Sequence, residues 1–252
     1  LGKGNFGKVY LAEHRTTKEK VAIKVVDKRA FQKSDQIQHA ESEQSLCEAF
    51  ATRMKHKHIV DVHEVIADDH SIYIVMEYMQ GGDLFEQIRQ SAYIAEPVAR
   101  RWFREIMEAV HFIHSHGIVH RDLKPENVLI DKRQHLRLCD FGFGKKVAMQ
   151  QQVLKTYCGS PFYASPEMVT ATPYKGPPVD MWSCGVILYL MLTGTLPFQA
   201  SNMGQLFRKI SVAQYTIPRS VSPDASNLIH RLLCKNSRER ITAIQCLQHP
   251  WL

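Results

Sequence analysis

Residues His120 to Asn127 read HRDLKPEN, and Asp140 to Gly142 read DFG. Beside Glu126, they carry the carboxylates of Asp122 and Asp140, the ammonium of Lys124 and the amide of Asn127. Phosphoryl transfer needs this set, because it asks for positioning and charge stabilisation rather than covalent chemistry. Asp122 can accept the proton of an attacking hydroxyl and aim it. Lys124 can neutralise charge on the moving phosphoryl group. Asn127 and Asp140 offer hard oxygen ligands for Mg²⁺, which keeps waters and binds through few protein oxygens. Read blandly, the same residues are a polar loop followed by a turn, and any one tripeptide could be that. The octapeptide together with DFG eighteen residues after Asp122 is improbable by chance.

A second chemical signal lies at the start of the chain, where GKGNFGKV places glycines at Gly2, Gly4 and Gly7. Glycine lets backbone N–H groups approach a phosphate with no side chain in the way. The pattern alone also fits an ordinary hairpin. A dinucleotide fold would need it to open a helix, with an acid about twenty residues on. Here Gly7 leads into KVYLAEH, which alternates like a strand. A strand–glycine turn–strand hairpin is a lid over phosphates. The next strand contains VAIK, with Lys24 as a candidate phosphate ligand.

The elements that must hold these residues change character along the chain. KVYLAEH, KVAIKVVDK, HIVDVHEVI and SIYIVMEYM alternate apolar and polar residues and predict strands, with ADDH as a turn. Gln36 to Lys55 predicts a helix. After Gln80 to Asp83, LFEQIRQ, PVARRWFREIMEAVHFIHSHG, VDMWSCGVILYLMLTG and DASNLIHRLLC show helical spacing. Asp180 and Gly194 are expected to end the third of these.

Composition narrows the classes. The 252 residues are 44% apolar and 23% charged, enough for a core. The net charge is +7, but acids interleave with bases and no run reads as a nucleic-acid arm. The six cysteines are dispersed and form no C-x-x-C pair, which suits a reducing compartment. The longest apolar run, near Val186 to Leu192, is too short to span a bilayer, so no membrane insertion is expected. His111, His114, His116 and His120 lack companion ligands at zinc spacing and read as packing residues. Cys139, beside Asp140, reads as a buried inert thiol. The chain opens without Met, inside a pattern, and is expected to be a domain cut from a longer protein.

Taken together and in order, these motifs resemble a eukaryotic protein kinase domain over nearly the whole chain. SPE at Ser165 to Glu167 matches its A-P-E, DMWSCGV at Asp180 to Val186 its D-x-W-S-x-G-V, and Arg240 the arginine that pairs with Glu167. Glu167, Asp180 and Arg240 are then structural. The resemblance implies an α+β bilobal fold, with a small antiparallel-sheet N-lobe carrying one main helix (1–79) and a larger helical C-lobe (80–252). It implies ATP and Mg²⁺. Leu1, Gly2, Gly4, Gly7 and Lys24 would hold the nucleotide. Val9 and Ala22 would pack above the adenine and Leu129 below it. Met76 would be the gatekeeper, the backbones of Glu77 and Met79 would bond the adenine edge, and Asp83 would face the ribose. His120 would pack under the Asp–Phe–Gly turn. The glutamate that pairs with Lys24 is one of Glu41, Glu43 and Glu48, because this stretch is about one helical turn longer than in close relatives. Helical phase favours Glu43, which shares a face with Cys47, Phe50 and Met54.

Lys124 and Ser160 resemble the serine/threonine branch. LKTYCGSPFYASPE is similar to the activation segment of the calmodulin-dependent and AMP-activated-kinase-related group. That implies phosphorylation of Thr156 by an upstream activating kinase, with Arg121 as the partner of the phosphate. Glu126 and Asp83 match positions that read an Arg three residues before the target, while Leu190 replaces an acid that reads position minus two. The expected protein substrates therefore carry Ser or Thr with Arg at minus three. An intracellular location, cytoplasmic or nuclear, is expected. A pseudokinase that only binds is the competing class, and the presence of Lys24, Asp122, Asn127 and Asp140 weighs against it.

Overall fold

Five antiparallel strands build the first third of the computed structural model, which describes residues 1–3, 7–30, 34–142, 144–146 and 159–252. They are β1 (Gly2–Lys3), β2 (Gly7–Glu13), β3 (Lys20–Asp27), β4 (Val62–Ala67) and β5 (Ser71–Glu77), in sheet order β1-β2-β3-β5-β4. Strand alternation decides which side chains face inward. In β3, Ala22, Lys24 and Val26 are buried on one face, while Ile23 and Val25 stay half-exposed on the other. An ammonium buried in this way needs a counter-charge, because desolvation of an unpaired ion is costly.

Helix α1 (Ser34–Thr52) packs on β4. Glu43, Leu46, Cys47 and Phe50 fall at helical spacing and are all buried, whereas Glu41 and Glu48 are exposed. Among the described side chains of α1, Glu43 is the carboxylate on the inner stripe.

Helices make up most of the remainder. Asp83 caps α2 (Leu84–Ser91) by accepting the Glu86 N–H at 2.8 Å. In α3 (Glu96–Ser115), Ala99, Phe103, Ile106, Met107, Val110 and Ile113 are buried at three- and four-residue spacing. A short helix α4 (Pro166–Val169) precedes α5 (Gly176–Thr193), which is buried on nearly all sides. Around it lie α6 (Met203–Ser211), α7 (Pro223–Leu232) and α8 (Ala243–Leu247).

The start of α5 differs from the sequence expectation. Asp180 does not begin the helix; it lies a turn inside and is fully buried. Pro177 and Pro178 supply preset φ angles in the first turn, so the helix starts at Gly176. The carboxylate of Asp180 serves backbone groups elsewhere. At the other end Gly194 behaves as expected, with φ 69° and its N–H bonded to the Leu190 carbonyl at 2.8 Å.

Candidate active site

The loop from His120 to Asn127 lies between strand β6 (Ile118–Val119) and strand β7 (Val128–Ile130). Its conformation is held from below by α5. Asp180 Oδ2 accepts the His120 N–H at 2.9 Å, and Oδ1 accepts the Arg121 N–H at 2.8 Å. Arg121 has φ 66°, a left-handed conformation costing a non-glycine residue roughly 1 kcal/mol. Two charge-assisted hydrogen bonds from a buried carboxylate offset that strain. His114 Nε2 meets Asp180 Oδ2 at 2.8 Å. Burial would raise the Asp180 carboxyl, but the His114 bond and the neighbouring imidazoles and N–H outweigh it and hold the group below the ordinary aspartate range.

Asp122 is 5% exposed and sits at the centre of a small polar network. Its Oδ2 is 3.0 Å from Lys124 Nζ, and its Oδ1 accepts the Ser160 N–H at 3.1 Å. Lys124 Nζ reaches Ser160 Oγ at 3.4 Å, so Ser160 meets Asp122 through its backbone N–H and Lys124 through its hydroxyl. Asn127 donates Nδ2 to the Asp122 carbonyl at 2.8 Å, which leaves its oxygen on the opposite branch of the amide.

Lys24 sits between two carboxylates. Its Nζ donates to Glu43 Oε1 at 2.5 Å and to Asp140 Oδ1 at 2.7 Å. Burial alone would depress the ammonium; the two carboxylates outweigh burial and push it above the ordinary lysine range. Burial raises Glu43, whereas the Lys24 charge overrides burial at Asp140 and lowers it. Asp140 itself has φ 61°, and the next residue, Phe141, turns inward. The Phe141 ring lies 4.6 Å from that of Phe50 in α1 and 5.0 Å from His120. His120 thus packs on the turn, with Nε2 3.0 Å from the Cys139 carbonyl.

Strand β8 (Leu136–Leu138) pairs with β7 and delivers Cys139 and Asp140 into a cleft of about 590 Å³. Leu1, Gly2, Val9, Ala22 and Lys24 line it from the sheet side. Met76, Glu77, Met79 and Asp83 line its back edge, and Lys124, Asn127, Leu129 and Asp140 its floor. Glu43 and Glu126 also border it. Asp122 lies beside the floor through its contact with Lys124. Asn127 and Asp140 together present hard oxygens on one wall, a donor set that fits Mg²⁺. Cys139 borders the cleft with its thiol pushed up by burial, which keeps it un-ionised.

Gly7 is not in the lining. A Cβ there would meet the Val25 carbonyl oxygen at 2.2 Å, so its lack of a side chain serves the close approach of β2 to β3. Gly4 and Thr156 lie outside the described residues. Sequence reasoning missed Val60, Val62, Ile74 and Tyr78 in the lining. Ile74 was findable, since it precedes Met76 by two in β5 and so shares its face. Away from the cleft, Arg240 grips Glu167 with two bonds of 2.7 and 3.0 Å, the structural pair expected from SPE.

A family model described as protein kinase domain matches residues 1–252. The carbon catabolite-derepressing protein kinase of Saccharomyces cerevisiae is 44% identical over 251 residues, covering 100% of this chain and 39% of that protein. Serine/threonine protein kinase OSK3 of Oryza sativa subsp. indica is 43% identical over 251 residues, covering 100% of this chain and 48% of that protein. CBL-interacting protein kinase 30 of Oryza sativa subsp. japonica is 43% identical over 253 residues, covering 100% of this chain and 52% of that protein. The chain thus spans about half the length of these relatives, or less.

Proposed function

This chain belongs to the protein kinase domain family, and on that premise we propose that it transfers the γ-phosphoryl group of Mg·ATP to Ser or Thr hydroxyls of protein substrates. The observation that carries the reading is the meeting of Lys24 with Glu43 and Asp140 in the same cleft as Lys124 and Asn127. The names of the relatives support the serine/threonine branch, as does the contact of Lys124 with Ser160.

In this reading Glu43 holds Lys24, and Lys24 binds the phosphates. Asp122 receives and aims the substrate hydroxyl, and Lys124 stabilises charge on the group in transit. Asn127 and Asp140 would hold Mg²⁺, which supplies charge neutralisation across the phosphates. Leu1, Gly2, Val9 and Ala22 cover the nucleotide from above, and Leu129 supports the adenine from below. Met76 guards the back of the cleft, the backbones of Glu77 and Met79 bind the adenine edge, and Asp83 meets the ribose. Gly4 and Gly7 shape the lid. The division into lobes falls between residues 79 and 80.

Two finer parts belong to the same proposal. Phosphorylation of Thr156 by an upstream kinase activates the enzyme, with Arg121 as partner of the phosphate. Glu126 and Asp83, both bordering the cleft, select Arg at minus three. An intracellular site of action fits dispersed cysteines.

The test is phosphate transfer from Mg·ATP to a degenerate Ser/Thr peptide library, with wild type beside Asp122→Asn, each with and without phosphate on Thr156. Transfer that depends on Asp122 and rises with Thr156 phosphorylation is expected. ATP binding without transfer in every state would overturn the reading in favour of a binding module.

A further inference from the structure

Four cations outside the cleft lie where α3 meets the β7–β8 turn, and among the described residues no acid answers them. Arg101 and Arg104 lie one turn apart on α3. Lys132 and Arg133 lie in the tight turn between β7 and β8. Two bonds fix the two elements together: Trp102 Nε1 donates to the Gln134 carbonyl at 2.9 Å, and Arg101 Nη2 approaches the same oxygen at 3.4 Å. The turn itself is rigid. Asp131 Oδ1 accepts the N–H groups of Arg133 and His135 at 2.7 and 2.9 Å. Arg104 follows Arg101 by about 4.5 Å of helix rise. Lys132 and Arg133 are within two residues of Gln134, roughly 7 Å of backbone at most.

Nearby carboxylates are already engaged. Glu105 binds His135 Nδ1 and the Leu136 N–H at 2.8 and 2.7 Å. Glu96 accepts from Ser222 and Trp251, and Glu108 pairs with Lys57. Among the described residues, no carboxylate lies within ion-pair distance of Arg101, Arg104, Lys132 or Arg133. Arg101, Lys132 and Arg133 are exposed, and none of the four lines the cleft.

We propose that this surface, formed by Arg101 and Arg104 of α3 with Lys132 and Arg133 of the β7–β8 turn, docks an acidic segment of a partner protein. Guanidinium forks match carboxylates two bonds at a time, and three of the four cations are arginines. Single-stranded nucleic acid would want exposed aromatic platforms. The aromatic ring at this joint, Trp102, is only 3% exposed. The proposal stands independently of the phosphoryl-transfer reading, because it concerns binding alone.

The experiment is fluorescence anisotropy of a fluorescein-labelled peptide of alternating Glu and Gly, titrated with the purified chain at low and physiological salt. Wild type is expected to bind with salt-sensitive affinity. R101E/R133E should weaken binding about tenfold or more, the effect of removing and reversing two steering charges. K235E/R238E, a charge-matched change elsewhere on the exposed surface, should bind as wild type does. R104E/K132E provides the second variant if R101E/R133E fails to melt cooperatively. No peptide binding by wild type, or binding as tight as wild type by both patch variants, would overturn the proposal. So would wild type binding a single-stranded oligonucleotide or phosphatidylserine vesicles through these residues in preference to the peptide.

Discussion

His114 and Asp180 meet at 2.8 Å, on the same carboxylate oxygen that accepts the His120 N–H. A residue of α3 and a residue of α5 thereby clamp the backbone that precedes Asp122. The loop from His120 to Asn127 is held by a side chain that lies outside the cleft.

Asp180→Asn should expose the size of that effect. An amide has one oxygen, so His120, Arg121 or His114 loses its acceptor in a fully buried place. Leaving one such donor unpaired costs about 1–3 kcal/mol. The expected result is a fall of several degrees in the melting temperature together with a loss of turnover. Retention of wild-type stability and turnover would remove Asp180 from the account.

Acid stability follows from the same group. Asp180 and Asp140 are both held below the ordinary aspartate value of 3.8. A depressed carboxyl contributes stability that is fully present above its unfolded value and lost as pH falls through its folded value. Their contribution is therefore intact at neutral pH and vanishes only below 3.8. Chemical unfolding measured from neutral to strongly acidic pH should show a steeper acid limb for wild type than for Asp180→Asn. Identical slopes would contradict it.

Period-two and period-three-to-four patterns made the sheet, α1 and α3 legible in advance, whereas most of the cleft was legible through the resemblance to the protein kinase domain. Glu43 was readable because helical phase placed it with Cys47 and Phe50, and all three are buried. The start of α5 was misread because Asp is a common helix cap, and nothing local revealed that its carboxylate would be recruited by a loop sixty residues earlier. Val60 and Tyr78 escaped although they fall in HIVDVHEVI and SIYIVMEYM, because the backbone there is irregular and the strand period expected of those segments does not reach them.

Glu43 and Glu48 give a discriminating pair. Glu43 Oε1 holds Lys24, while Glu48 is exposed and accepts from Gln44 at 2.9 Å. Glu43→Gln should lower turnover about a hundredfold, the scale of a small misplacement of a charged group. Glu48→Gln should leave it within a factor of about two, as exposed substitutions usually do. Steady-state kinetics on one peptide decides the matter, and the reverse order would reassign the lysine's partner.

Gly159 offers a backbone test. Its φ is +87°, and a Cβ would meet the Arg121 carbonyl at 2.8 Å and Asp122 Oδ1 at 3.0 Å. Gly159→Ala combines left-handed strain of roughly 1–2 kcal/mol with pressure on the carboxylate of Asp122. Turnover should drop far more than nucleotide affinity, because the residues that line the cleft are untouched. Equal loss of both would point to general unfolding.

The proposed selection of Arg at minus three should depend on pH through Glu126. Partial desolvation by the cleft walls raises the Glu126 carboxyl, and the charges of Asp122 and Asp83 add to it. A raised carboxyl is ionised only above that raised value, so preference for the Arg peptide over its Ala counterpart should grow as pH rises through it. It should fade as pH falls while the site's lowest carboxyls stay ionised. Glu126→Gln should reduce the preference about tenfold, near the lower range for a hydrogen bond to a charged group. Asp83→Asn should matter less, because Asp83 Oδ1 is committed to the Glu86 N–H and Asn also caps helices. The measurement is the ratio of kcat/KM for the two peptides across pH. A flat ratio, or a larger loss at Asp83 than at Glu126, would assign the arginine pocket elsewhere.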